Sequence, residues 1–241
     1  MKKNIYFCAV ALLFFAMNMA RADINYHELE VYPYQTASPN EMELENATSA
    51  SSGANVGGEA VAAYRSTFEF TYGVSERWEL TAYADFLGQP QQNVNFSRAR
   101  VHGRTHFFEK GELPVDLGAY VELELPQNDA AKLETEFRGI IERDFDRFTV
   151  DLNPILERPV VTTENAQFEV KFATAVAYRL SHTVKPHLDT FGSVTGDTQF
   201  MISPAIDVRV ARGFTVAARA GFGLTDATEK TLGGVRMEYE F

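Results

Sequence analysis

Only one cysteine, one tryptophan and nine prolines occur among the 241 residues, and basic residues are few: 22 against 33 acidic ones. Cys8 lies inside an amino-terminal apolar stretch with no small-residue site in front of it, so a lipidated amino terminus is not expected. Residues beyond 22 contain no cysteine, which excludes a disulfide framework and thiolate chemistry there. Without Lys2, Lys3 and Arg21, the rest of the chain has 19 basic and 33 acidic residues, a net −14 that argues against nucleic acid as a partner. Outside residues 5–17 no apolar run approaches the ~18 residues of a membrane-spanning helix, which excludes a helical membrane protein. It does not exclude a membrane β-barrel, whose strands hide their apolar half by alternation.

What is present begins with Lys2 and Lys3, an apolar core over residues 5–17, and Ala20-Arg21-Ala22 before Asp23. That is the pattern of a secretory signal peptide over residues 1–22, so residues 23–241 are expected to leave the cytoplasm.

From Tyr64 onward apolar residues fall on every second position, the period of a strand. Tyr64, Phe68, Phe70 and Tyr72 share one face and Arg65, Thr67, Glu69 and Thr71 the other, and Trp78, Leu80, Ala82, Ala84 and Phe86 alternate with Glu79, Thr81, Tyr83 and Asp85. The same period predicts strands over 97–107, 115–125, 134–142, 148–156, 166–179, 185–194, 200–211, 214–224 and 232–241. A weaker segment, 25–34, sets Leu29 and Val31 against Glu28 and Glu30 and supplies a twelfth strand; residues 35–60, rich in Ser, Ala, Asn and Gly, then form a long first loop. Tight turns alternate with connections that are mostly longer, the asymmetry of periplasmic and extracellular ends.

The predicted outward faces of the eleven stronger strands carry no charged residue. A charge at the lipid midplane costs ~2–4 kcal/mol, so a lipid-facing surface is purged of it. Tyr72, Trp78, Phe107, Phe148, Tyr178, Phe214, Tyr239 and Phe241 cluster beside the short turns, where an interfacial girdle belongs. Pro154, Pro186 and Pro204 each remove a ladder hydrogen bond, and bulges or strand ends are expected there. The predicted fold is an all-β, transmembrane antiparallel β-barrel of about twelve strands in the outer membrane of a Gram-negative bacterium, in contact with outer-membrane lipid and lipopolysaccharide.

The end of the chain, residues 233–241 with Tyr239 and terminal Phe241, resembles the closing strand of bacterial outer-membrane proteins, which implies recognition by the outer-membrane assembly machinery. Residues 70–80, reading FTYGVSERWEL, are similar to the strand-turn-strand repeat of a channel family associated with the meta-pathway of phenol degradation. That resemblance implies passage of small, often aromatic or hydrophobic, molecules, and it carries over no catalytic or binding residue.

Chemistry-bearing residues are sparse. The histidines are His27, His102, His106, His182 and His187; His102 and His106 share a strand face but stand roughly 13 Å apart, too far to ligate one metal. No metal or other cofactor is expected. Ser181-His182 has no orienting acid placed by a motif, so catalysis is not expected there. A barrel-embedded lipid-modifying enzyme and a structural or adhesive barrel remain the alternatives to a channel.

The most distinctive strand is 97–107, whose inward face reads Arg98, Arg100, His102, Arg104 and His106. Its neighbours are acidic inside: Glu79 and Asp85 before it, Asp116, Glu122 and Glu124 after it. Pairing is expected to set Arg98, Arg100 and His106 opposite Glu124, Glu122 and Asp116, or, shifted by two, Arg98 and Arg104 opposite Glu122 and Asp116. Solvated pairs of this kind contribute ~0–1 kcal/mol each. As a transverse field they would form a constriction that sets selectivity, which neutralising the three arginines would shift toward cations.

Overall fold

The computed structural model describes residues 30–56, 59–90, 92–127, 133–160, 168–195 and 198–241; the expected signal peptide and His27 lie outside the described residues. Twelve antiparallel strands form one closed sheet: β1 (Met42–Val56), β2 (Glu59–Gly73), β3 (Trp78–Gly88), β4 (Asn95–His106), β5 (Asp116–Pro126), β6 (Glu134–Phe145), β7 (Phe148–Pro159), β8 (Glu169–Tyr178), β9 (Val184–Ser193), β10 (Gln199–Ala211), β11 (Phe214–Gly223) and β12 (Thr231–Glu240). Each strand pairs with its sequence neighbours, and β1 pairs with β12 to remove the last free edge. A ten-residue strand at ~3.3 Å per residue and a tilt of ~40° covers ~25 Å, the height of an outer-membrane apolar belt.

The first strand is not where the weak alternation puts it. Residues 35–60 are not a long loop: Met42–Val56 is β1, and the 25–34 segment, where described, runs inside the barrel instead of in its wall. β1 escapes a hydrophobicity reading because its outward row, Leu44, Asn46, Thr48, Ala50 and Ser52, is scarcely more apolar than its inward row. Backbone pairing on both sides holds it, from Glu43↔Glu240 to Ser52↔Thr231 on one side and from Met42↔Tyr72 to Ser51↔Ala63 on the other. The polar groups of its outer face satisfy one another, as lipid contact requires: Asn46 donates to Ser66 Oγ (3.2 Å) and to the Thr67 carbonyl (3.0 Å).

The other strands lie where the alternation predicts them, within a few residues at their ends. Their outward side chains, including Leu80, Val101, Val121, Phe137, Leu152, Val176, Leu188, Ile206 and Val235, are exposed and apolar. Among the described residues, outward charges enter only at the strand ends: Arg143 lies over the Phe145 ring (5.3 Å) and Arg158 over Phe168 (5.0 Å). The girdle aromatics stand beside the short turns as expected, with Phe148 against Tyr178 (4.8 Å) and Tyr239 stacked on Phe241 (5.8 Å).

The three prolines do not mark bulges. Pro154, Pro186 and Pro204 lie within their strands opposite Phe172, Ile206 and Leu188, and the register shifts fall at Ser51/Ala54, Asp85/Phe86 and Arg209/Ala211. Pro154 fits because its other neighbour is Gly139, where a Cβ would meet the ring at 3.1 Å.

Candidate functional site

The basic face of β4 points into the lumen, with Arg100, His102 and Arg104 buried. Toward β3 the expected complementarity is direct: Glu79↔Arg104 and Asp85↔Arg98 are cross-strand partners. Toward β5 neither expected register holds. Arg98, Arg100, His102, Arg104 and His106 face Pro126, Glu124, Glu122, Tyr120 and Gly118. The long guanidinium arms nevertheless reach diagonally along the strand, so the acids are still engaged.

Arg98 pairs with Glu124 and lies 3.5 Å from Asp85. Arg100 pairs with Asp85 (2.8 Å) and with Glu122 (3.0 Å), and Arg104 pairs with Glu79 (2.6 Å). Tyr120 donates to Glu122 (2.6 Å) and Thr67 to Asp85 (2.8 Å). Apart from the half-buried Arg98–Glu124 pair, these pairs are buried, unlike the solvated ones the sequence suggests. Asp116 does not join them: it faces Glu142 across β6 and accepts the Gly111 N–H (2.6 Å).

What buries the ladder is the chain's own segment 30–37, a strap threaded through the lumen. Tyr32 exchanges two bonds with Asn153, N–H to Oδ1 (2.7 Å) and Nδ2 to its carbonyl (3.1 Å). Arg138 donates to the Glu30 carbonyl (2.5 Å), Arg104 to the Pro33 carbonyl (3.0 Å), Glu142 accepts the Tyr34 N–H (2.8 Å) and Glu79 the Ala37 N–H (2.6 Å). Tyr34 donates its hydroxyl to the Phe108 carbonyl, and Thr36 meets His106 Nδ1 at 3.2 Å. Glu79, Arg104 and His106, read from the sequence as solute-facing, are thus engaged by the strap. In the loop between β4 and β5, Lys110 reaches Glu142 (2.6 Å) and Asp144 (3.0 Å); burial disfavours its charge, but the hydrogen bonds to these carboxylates hold it up to about 12.

At mid-lumen the Tyr32 ring sits in a cage of aromatic and cationic groups. Tyr120 lies 4.8 Å away, His102 meets it edge-on at 5.5 Å, Arg138 covers it at 4.8 Å and Arg104 at 5.4 Å. Its hydroxyl bonds that of Tyr83 (2.8 Å), which bonds His102 Nδ1 (2.8 Å). His102 Nε2 stands 3.9 Å from Glu79 and has no hydrogen-bond partner. Tyr83 and Tyr120 share inward parity with Glu79 and Glu122, so their position was readable in the sequence; that Tyr32, Arg138, Glu142 and Asn153 join them was not, because only tertiary folding brings the strap to them.

Beside the cage the interior is apolar. Ile155, Phe191 and Met201 are each 1% exposed and form an apolar cluster with Ala47, Ala173 and Leu232, against which Val31 of the strap packs. Toward the periplasmic end a cavity of about 660 Å³ opens beside the strap, with Glu43, Glu45, Glu69, Glu238 and Glu240 along β1, β2 and β12 and Arg219, Arg236 and Lys185 among them. His187 is held between Asp189 (2.6 Å) and Asp207 (3.2 Å), so both ring nitrogens are engaged. Ser181 caps the exposed turn after β8, accepting the N–H groups of Thr183 (3.2 Å) and Val184 (3.1 Å), which gives it a turn-forming role.

No protein-family model and no curated protein sequence matches this chain. Solved structures do match it in fold. The KdgM porin in complex with disordered oligogalacturonate superposes with a TM-score of 0.61 at 8% identity, covering 83% of this chain and 99% of that one. The NanC porin gives 0.59 at 5% identity, covering 83% and 98%, and Omp33 of Acinetobacter baumannii gives 0.52 at 8%, covering 86% and 100%. The closed twelve-strand topology agrees with these neighbours, and this barrel carries an apolar exterior and a charged interior: the chain has the fold of the outer-membrane porins.

Proposed function

We propose that this barrel is a channel for small solutes, and that aromatic molecules carrying a polar group are among its cargo. The Tyr32 cage supports the aromatic part. A phenol ring is held there by two aromatic rings and two guanidinium groups, contacts that favour a π-face, and its hydroxyl finds a partner at Tyr83. A purely hydrophobic solute would meet instead the ions of Arg98, Arg100, Arg104, Asp85, Glu122 and Glu124, whose opposed charges form the constriction of this channel and orient a polar group. The assembly machinery reading the strand that ends in Tyr239 and Phe241, and lipid with lipopolysaccharide around the belt, are its other partners in this reading.

Flux into liposomes tests it. With the full chain reconstituted, benzoate and phenol-type solutes are expected to enter faster than a sugar of equal size. Equal rates would remove the aromatic preference, and no flux of any solute, through the full chain or through a folded barrel lacking residues 23–37, would remove the channel.

A further inference from the structure

We propose that residues 30–37 are a displaceable plug: they close the lumen in this conformation and swing out on a hinge at residues 38–41 when solute passes. The inference rests on the channel reading and concerns how that channel is regulated.

Three observations carry it. First, the strap is held by wall side chains and takes no place in the sheet: its anchors are Asn153, Glu142, Glu79, Arg104 and Arg138, whereas the barrel is closed by the backbone pairing of β1 with β2 and β12. Its departure breaks no ladder bond. The anchors it frees are charged or amide side chains suited to line water.

Second, the strap completes the seal. Val31 packs on the Ile155, Phe191 and Met201 cluster while Tyr32 fills the cage beside it. The adjoining cavity of about 660 Å³ gives the segment, or a solute competing with it, room on the periplasmic side.

Third, the hinge is clasped. Asn40 adopts φ 66° and donates its N–H to the Gly73 carbonyl (2.8 Å), Gly73 donates to the Glu41 carbonyl (3.0 Å), and Met42 pairs with Phe241. The Ser38 carbonyl passes so close to Gly73 that a Cβ there would sit 1.9 Å away. The strap therefore moves as a tethered arm about a fixed rim.

Because residues beyond 22 contain no cysteine, an engineered pair can lock the arm. Thr36 and His106 touch at 3.2 Å, so the full chain bearing Thr36→Cys and His106→Cys can be bridged by a short, reductively cleavable bis-maleimide. In planar bilayers the bridged barrel is expected to conduct at least tenfold less than the unbridged one, with recovery on cleavage. In parallel, Asn153→Ala, which removes both Tyr32 anchors, is expected to raise the open fraction several-fold; it serves as the test should the cysteine pair prevent the heat-modifiable folded form. Equal conductance in bridged and unbridged protein, or an unchanged open fraction in Asn153→Ala, overturns the plug and leaves the channel standing. Silence of a folded barrel lacking residues 23–37 overturns the channel itself, and the plug with it.

Discussion

Arg104 shows how far a side chain's energetic role depends on burial. It donates to Glu79 at 2.6 Å and to the strap carbonyl of Pro33 at 3.0 Å, with both side chains largely out of water. A solvated pair is worth ~0–1 kcal/mol. Removing one partner of a buried pair strands the other charge and costs ~3–5 kcal/mol. Arg104→Ala is therefore expected to lower the urea-unfolding midpoint strongly, and Arg104→Ala with Glu79→Gln to recover most of the loss; equal midpoints for Arg104→Ala and the parent would show that water reaches the pair. Neutralising Arg98, Arg100 and Arg104 together would strand Glu79, Asp85, Glu122 and Glu124 at once, so folding would not stay intact. Selectivity is better tested with a charge-balanced change, Arg98→Gln with Glu124→Gln, which is expected to alter ion selectivity without loss of folded protein.

Among the elements, β4 with its acidic neighbours was legible as a unit and β1 was not. Inward and outward rows of β4 differ sharply in charge, whereas those of β1 are nearly equal in hydrophobicity from Asn46 onward, so only pairing identifies it. The strap misled for a related reason: an extended segment crossing a packed interior also alternates, Val31 toward the apolar cluster and Tyr32 toward the cage. Two predictions belong to this scale. Gly73→Val puts side-chain atoms where the Ser38 carbonyl runs, so limited proteolysis should cut the strap faster while the barrel stays heat-modifiable; an unchanged cleavage rate would mean the hinge bears no load. Phe241 exchanges backbone bonds with Met42 at 2.9 and 3.1 Å and stacks on Tyr239, so its deletion opens the β1–β12 seam. Outer-membrane levels should fall well below those of any single loop deletion, and normal levels would deny the closing strand its assembly role.

For the whole molecule, the apolar exterior decides the solvent. Leu152 lies mid-strand in β7 with its side chain 40% exposed, a position that makes sense in lipid. Leu152→Arg is expected to cost ~2–4 kcal/mol in refolding titrations into lipid vesicles, while a charge at the strand-end position of Arg143 is tolerated; equal tolerance at both would contradict a lipid belt at that depth. The parent itself should show β-rich circular dichroism and heat-modifiable migration in detergent. A detergent-free soluble monomer would contradict the architecture.

Side-chain parity, and with it the sorting of lipid face from lumen face, was determined by sequence alone, because the period of two is a local property of an extended backbone that each strand carries by itself. Strand number followed once an even, closed sheet was required, although one member was misplaced. Register was decided only by the tertiary structure. The shear of a closed barrel is set around the whole ring, so Arg100 came to face Glu124 while bonding Glu122, a displacement invisible to any two strands read in isolation. The strap likewise depends on contacts more than a hundred residues apart, Tyr32 with Asn153 and Tyr34 with Glu142, which no local pattern encodes. Local periodicity thus identified the wall; the folded interior decided that residues 30–37 fill what the wall encloses.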